Sequence, residues 1–267
     1  MLGLTRARNP TLKNLLIRLF MRGFRPEMQD AVEPEPTAYG SFNEFFTRAL
    51  RPGTRPVDPD ARAIVSPVDG TVSEAGTLSE DRLLQAKGHE YSLRALLAGK
   101  PAWERSFAGG TFATIYLAPY NYHRIHMPIA GELRESFYVP GRLFSVNQVT
   151  ARLVPGLFSR NERVVCGFDS SGMPWALILV GAFNVGSMAT VWHGDVTPRK
   201  HREVTALPVA DVLAPTALGK AAEMGRFNMG STVILLFPPG AVEWQSTLAA
   251  GRVLRMGERI GTLRGWP

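Results

Sequence analysis

Residues 223–237 read EMGRFNMGSTVILLF, and the half of this stretch from Thr232 to Phe237 is a short apolar run rich in β-branched residues and leucine. Such a run, bounded by turn residues, is the pattern of a buried strand. Gly230 precedes Ser231 and Thr232, so the strand is entered through a Gly-Ser junction. Working outward, similar short strands separated by Gly and Pro turns recur from Arg55 onward, at Thr111–Leu117 and at positions 132–139 and 176–180. The final stretch, GRVLRMGERIGTLRG, reads as two more short strands joined by a Gly-containing turn. With 26 Gly and 20 Pro in 267 residues, the chain is turn-rich. The expected fold class is mainly β (α+β), with an antiparallel sheet or barrel-like catalytic core and amphipathic helices at the N-terminus. Nothing reads as a strand–Gly-loop–helix unit, which argues against a parallel nucleotide-binding sheet.

A chain of this length can bury a substantial core, and 45% hydrophobic with 20% charged residues is an ordinary globular balance. The single cysteine, Cys166, excludes an intrachain disulfide and sits in the apolar run RVVCGF as a small core residue. Thirty Lys and Arg against 23 Asp and Glu give a net charge of +7, which favours an anionic partner without naming one. No apolar run approaches the roughly 20 residues needed to cross a bilayer. The N-terminal apolar stretch is interrupted by Arg18 and lacks a small-residue cleavage site, so it does not read as a signal peptide.

The first 25 residues carry Arg6, Arg8, Lys13, Arg18, Arg22 and Arg25, with no acid before Glu27. Leu12, Leu15, Leu16, Leu19 and Phe20 follow the spacing of one helical face, with Lys13 and Arg18 away from it. A basic amphipathic helix of this kind can lie in the headgroup layer of an anionic membrane. It can equally dock its leucines on the protein's own core. EPEPTAYG then reads as a linker, and Phe42 to Leu50 as a short helix after Ser41, with Glu44 completing a capping box.

Three places can carry chemistry. In SPVDG, Asp69 sits between turn residues; it is either a turn aspartate or a carboxylate that orients a histidine. In APYNYHRIHMP, His123 and His126 stand three apart between prolines, a spacing that suggests a turn-like loop. Two histidines this close can begin a zinc site, but Cys166 and the other histidines show no matching ligand spacing, and acid–base work fits better. Local hydrogen bonding alone is the other reading. At the Gly230–Ser231 junction, an ordinary turn competes with a sharper possibility, attack by the Ser231 hydroxyl on the carbonyl of Gly230.

Taken in order, these segments resemble the phosphatidylserine decarboxylases of bacterial and mitochondrial type. The resemblance rests on FNEFFTRALRPGTRP, SPVDGTV, LLQAKGHEYSLRALL, GGTFATIYLAPYNYHRIHMPIAGEL, PGRLFSVN, LFSRNERVV, VGAFNVGSM and EMGRFNMGSTVILLF, covering residues 42–237 at least. Met229 departs from the Leu usual before Gly-Ser-Thr, a change of little consequence for size. The resemblance implies a triad in which Asp69 holds the His126 imidazole, His126 deprotonates Ser231, and Ser231 attacks Gly230. Elimination from the resulting ester and loss of ammonia would leave a pyruvoyl group at position 231. The precursor would thus be a zymogen that yields a large chain, 1–230, and a small chain, 231–267. The ketone would form an imine with the substrate amine and draw electrons as carbon dioxide leaves, with no metal or pyridoxal phosphate required. His123 would return a proton to the carbanion.

The same resemblance implies two functional parts, a membrane-associating segment at 1–36 and a decarboxylase domain at 37–267. It implies phosphatidylserine as substrate, phosphatidylethanolamine as product, and peripheral attachment to the cytoplasmic side of the cell membrane. A homo-oligomer is compatible with the sequence, and no nucleic-acid motif is present. Arg55 and Arg124 are candidate phosphate partners. A pyruvoyl decarboxylase of a soluble amino acid, and a β-rich binding module that never cleaves, remain as alternatives.

Overall fold

The computed structural model describes residues 2–86, 89–182, 187–196, 203–209, 214–228 and 231–265. Helices α1 (Leu2–Thr5) and α2 (Pro10–Phe24) open the chain, and a 3-10 turn at Pro36–Ala38 leads to α3 (Phe42–Phe46). Strands β1 (Ala63–Val65), β2 (Gly70–Thr77), β3 (Arg82–Ala86) and β4 (His89–Ser92) precede helices α4 (Leu93–Leu96) and α5 (Pro101–Phe107). Then β5 (Thr111–Leu117), β6 (Arg124–His126) and β7 (Gly131–Val139) lead into α6 (Gln148–Leu153) and α7 (Leu157–Arg160). A hairpin of β8 (Arg163–Ser170) and β9 (Met173–Val180) follows, then β10 (Met188–Thr190), β11 (Gly194–Asp195), β12 (Thr205–Leu207) and β13 (Ala217–Leu218). The rest is β14 (Glu223–Phe227), β15 (Ser231–Phe237), β16 (Val242–Trp244), β17 (Val253–Leu254) and β18 (Arg259–Leu263).

The pairing is antiparallel throughout these sheets. The largest has the order β12-β7-β8-β9-β15-β5-β2-β17, with β13 also on β7. Its strands alternate between two cores, as the two-residue period of a strand requires. Ile115, Leu117, Val233, Leu235, Leu177 and Leu179 face one core, closed by the small sheets β11-β10-β14-β6 and β1-β18-β16. Phe112, Ile234, Leu236, Ile178 and Val180 face the other, closed by Leu93 and Leu96 of α4, Phe107 of α5 and Phe158 of α7. Cys166 is fully buried in the first core, where burial pushes its thiol up to about 12.

Three local expectations change. The C-terminal strands β17 and β18 form, but β17 pairs with β2 while β18 pairs with β1 and β16, so they do not make a hairpin. Gly257 turns the chain between them at φ +89, where a Cβ would come 2.6 Å from the Pro56 carbonyl oxygen. Residues 124–126 are a short strand rather than a turn, because β14 offers them a partner.

The third change concerns α2, which docks on α3. Ile17 is fully buried against Phe42, Phe45 and Phe46, joined by Leu16, Phe20 and Met21. The expected leucine stripe is therefore split: Leu16 and Phe20 turn inward, while Leu15 and Leu19 are 54% and 59% exposed. Ser41 caps α3 by accepting from the Glu44 N–H, and Glu44 accepts from Gly40. Among the described residues, no helix is long and apolar enough to cross a membrane.

Candidate active site

The stretch 223–237 does not run as one strand. Residues 223–227 form β14 in a small sheet, and 231–237 form β15 at the centre of the large one, so the chain has changed sheets between Asn228 and Ser231. The near side of this crossing is tightly held. Phe227 N–H donates to His123 O at 3.0 Å, and Asn228 N–H donates to Ser187 O at 3.0 Å. The Asn228 amide donates to Ser187 Oγ at 2.7 Å and to Asp195, and its carbonyl accepts from Asn43 at 3.1 Å. On the far side, Ser231 pairs with Leu117, and Thr232 lies between Tyr116 and Val180. Gly230 lies outside the described residues, and of Ser231 only the backbone is described.

Asp69 arrives at the same end of the sheet. It immediately precedes β2, whose Thr71 pairs with Tyr116 on β5, and Ser231 opens β15 on the other side of β5. Two strand spacings of about 4.8 Å separate these backbones, roughly 10 Å. Gly70 allows this approach, since a Cβ there would meet the Tyr116 carbonyl oxygen at 2.6 Å.

The Asp69 carboxylate is not bonded to a histidine. Arg55 Nε donates to its two oxygens at 3.0 and 3.1 Å, Arg55 Nη2 donates at 2.6 Å, and the Met256 N–H donates to Oδ1 at 2.8 Å. Arg55 Nη1 also holds Asp30 at 2.7 Å. Burial opposes the guanidinium's charge, but the hydrogen bonds to Asp69 and Asp30 outweigh it and raise its pKa. Asp30 is held below the usual carboxylate range, chiefly by its hydrogen bond from Arg55.

His126, half-buried, bonds elsewhere. Its Nδ1 lies 2.8 Å from Ala221 O, and its Nε2 lies 3.0 Å from the Tyr122 hydroxyl. A carbonyl can only accept, so Nδ1 carries the proton and Nε2 offers its lone pair to Tyr122 O–H. Burial lowers the pKa of His126, against the opposing pull of Ala221 O and Glu223. The ring is thus a neutral base with Nε2 as its basic atom. The expected Asp69–His126 contact is absent because both partners are fully engaged; what links them is proximity, with Asp69 favouring the imidazolium at longer range.

His123 differs from its neighbour. It is fully buried, its ring 4.1 Å from that of Phe46, and its Nδ1 donates to Asn121 O at 2.8 Å. Nε2 is buried with no hydrogen-bond partner among the described residues. Burial drives its pKa down to about 3. A neutral imidazole with a free lone pair can take a proton before it returns one; it cannot begin as an acid.

Both candidate phosphate arginines are already occupied. Arg55 holds Asp69 and Asp30, while Arg124 donates to Glu223 at 2.8 Å and to Thr47 O at 2.9 Å. Sequence reasoning passed over Tyr122 and Arg48. Tyr122 sits four residues before His126, and Arg48 follows a buried Phe-Phe pair, a place where a cation is unexpected. Among the described residues, no three His, Cys, Asp or Glu side chains cluster as a metal site would require.

A model of the phosphatidylserine decarboxylase family matches residues 42–262, most of the chain. The chain belongs to the phosphatidylserine decarboxylase family. Among curated members, the phosphatidylserine decarboxylase proenzyme of Pseudomonas fluorescens is 54% identical over 249 residues, covering 93% of this chain and 86% of the relative. The proenzyme of Bordetella avium is 51% identical over 254 residues, with 95% and 86% covered. That of Azotobacter vinelandii is 51% identical over 259 residues, with 97% and 90% covered. Family membership gives the site at the sheet crossing its context: the matched region spans Asp69, both histidines and the junction.

Proposed function

We propose that this chain is a proenzyme that cleaves itself between Gly230 and Ser231 and then decarboxylates phosphatidylserine to phosphatidylethanolamine. The observation that carries this reading is the crossing between two sheets. A clamped Asn228 and the first residue of a central strand stand three positions apart in the chain but in different sheets, and Phe227 N–H holds the carbonyl of His123, three residues before the neutral base His126. The fold also tolerates a cut there. Residues 231–237 pair with β5 and residues 232–236 also pair with β9, while β17 and β18 pair with β2 and β1. A small chain starting at 231 would therefore stay locked to the large chain without a disulfide.

In cleavage, His126 Nε2 is the base for the Ser231 hydroxyl, and Tyr122 must yield its hydrogen bond to that atom first. Asp69, held by Arg55, supports the proton transfer from a distance instead of gripping the ring. The residues fit a pyruvoyl group at position 231: His123 follows Leu117, the backbone partner of Ser231, by six residues, and its buried Nε2 has no partner among the described residues. Such a group supplies a ketone that condenses with the substrate amine and accepts the electron pair released with carbon dioxide. His123 Nε2, neutral because burial keeps its pKa low, must first be given a proton and then delivers it to carbon after decarboxylation. The Asn121 carbonyl fixes the tautomer that makes this possible.

The test is an intact mass under denaturing conditions. The wild type should give chains 1–230 and 231–267, the latter blocked at its first residue, and Ser231→Ala should give one full-length chain without decarboxylase activity. Active wild-type protein found as an unbroken polypeptide would overturn the reading.

The N-terminal segment favours a peripheral position on the cytoplasmic side of the cell membrane. The outward face of α2 presents Leu15 and Leu19 to solvent with Arg18 and Arg22, also exposed, beside them. Apolar anchors flanked by cations suit an anionic lipid surface. Replacing both leucines by serine should weaken binding to anionic vesicles roughly tenfold or more, from the apolar area lost. Unchanged vesicle binding would remove the anchor from α2.

A further inference from the structure

Arg48 is 3% exposed, and among the described residues its guanidinium has a single hydrogen bond, from Nη2 to Tyr120 O at 3.3 Å. Nε and Nη1 are buried with no partner among the described residues. Burial pulls its pKa below the ordinary guanidinium value, with Tyr39 and Asp69 opposing from a distance. The Phe45 ring, 6.0 Å from the guanidinium carbon, offers the charge a face but accepts none of its N–H groups; a buried charge with so few hydrogen bonds is costly, so a chain that keeps one needs a reason. Arg48 lines a cavity of about 300 Å³ together with Arg25, Arg55, Arg255, Asp69 and Tyr122. Arg55 is spent on Asp69 and Asp30, and Arg255 faces Glu27 and Asp30, which leaves Arg48 as the buried cation with donors to spare.

We propose that Arg48 anchors an anion in this cavity and that the anion is the headgroup phosphate diester of the lipid substrate. The inference rests on the decarboxylase reading above. The cavity lies beside the reaction site: Tyr122 lines it and bonds His126, and Tyr120, which accepts from Arg48, stands three residues after Leu117, the partner of Ser231. In the serine headgroup four bonds separate nitrogen from phosphorus, roughly 5 Å when extended, so a phosphate site must adjoin the amine's site. Phosphate suits Arg48 better than the substrate carboxylate does. An arginine paired with the carboxylate would stabilise the very charge that has to be lost as carbon dioxide, binding the ground state at the expense of the transition state. The rim suits a lipid. Val253 and Tyr120 line the cavity with 69% and 49% of their surfaces exposed, and Arg25, which ends α2, also lines it. The cavity thus opens beside the helix that presents Leu15 and Leu19 outward.

The experiment compares wild type, Arg48→Met and Arg48→Lys, after electrophoresis has established that each is processed. With phosphatidylserine in neutral detergent micelles, Arg48→Met should raise KM roughly 10- to 100-fold, the worth of a charge-assisted contact, with a smaller change in kcat. Arg48→Lys should recover part of that loss. Glycerophosphoserine should compete with the lipid in wild type and not in Arg48→Met. Inorganic phosphate should raise the melting temperature of wild type but not of Arg48→Met, and Arg48→Met without ligand should melt no lower than wild type. An unchanged KM would overturn the assignment to the headgroup, even if phosphate stabilised only the wild type. A large fall in melting temperature with no effect of phosphate on either protein would overturn the anion site altogether. Failure of the decarboxylase reading would look different: wild type would not turn over phosphatidylserine at all, and the phosphate melting comparison would still judge Arg48.

Discussion

Arg163 and Arg48 are equally buried, each 3% exposed, and neither is paired with a carboxylate through its hydrogen bonds. They lie in different regions, and their surroundings differ completely. Arg163, on the helix-covered side of the large sheet, donates from Nε to Leu96 O at 2.7 Å and from Nη2 to Ala95 O at 2.6 Å. Its Nη1 donates to Ser159 O and Asn161 O at 2.7 and 2.9 Å. Four main-chain carbonyls from α4, α7 and the turn after it thus fit one guanidinium, which knits those helices to β8. Among the described residues, Arg48 has one long bond and two donors without a partner. The fold evidently can build a complete cradle of carbonyls for a buried guanidinium where the role is structural. Where the described residues leave one incomplete, beside a cavity and near a histidine whose Nε2 also has no partner among them, a ligand fits the missing part.

The sharpest way to break this comparison is to remove each arginine in turn. Arg163→Met strands four buried carbonyls and should lower stability by about 3–5 kcal/mol, since bonds to a charged donor are each worth about 1.5–3 kcal/mol and do not add fully. Urea unfolding of the processed protein at neutral pH, with the slope checked for constancy, gives the number. Set against Arg48→Met, which should unfold no earlier than wild type, the two substitutions should differ in sign or nearly so. If Arg163→Met proved harmless, or the two variants were equally unstable, the completeness of a cradle would say nothing about role.

This contrast also marks where sequence reading stops. Strands β5 and β15 are legible as apolar runs between turn residues, and the Ser41–Glu44 cap of α3 is legible from spacing alone. The division of 223–237 between two sheets is not. Only Thr232–Phe237 is an apolar run, and nothing in EMGRF says that it will be a strand of its own; what makes and separates the two strands is pairing with partners about a hundred residues away, β6 at Arg124–His126 and β5 at Thr111–Leu117. The same limit applies to α2, whose leucine spacing foretells an apolar face but cannot say that α3 will claim Ile17 and leave Leu15 and Leu19 outside. Asp69, His123 and His126 stand out as residue types in suggestive company. That Asp69 is gripped by Arg55, and that Tyr122 covers the lone pair of His126, depends on contacts across separate elements. Of three arginines in 48–55, local sequence cannot tell which will be satisfied by carboxylates and which will be left short.

A smaller effect sharpens the other half of the comparison, the unpartnered imidazole. His123 is held neutral by burial, with a folded-state pKa near 3 against an ordinary 6.5. The sign follows from linkage. As pH falls below 6.5 the unfolded chain takes up a proton that the folded ring refuses, so stability is fully present above 6.5 and is lost progressively toward pH 3. By pH 5 this single group should account for roughly 2 kcal/mol, from 1.4 kcal/mol per pH unit. His123→Phe keeps an aromatic ring against Phe46 and has nothing to titrate, so its stability should fall less between pH 7 and pH 5 by about that amount. His126, whose pKa burial also lowers, adds a slope of the same sign that both proteins share, and it cancels in the difference. Parallel stability curves for wild type and His123→Phe over that range would mean that the ring is charged or solvated when folded. The lone pair at Nε2 would then not be waiting for a proton, and the base-then-acid role assigned to His123 would fall with it.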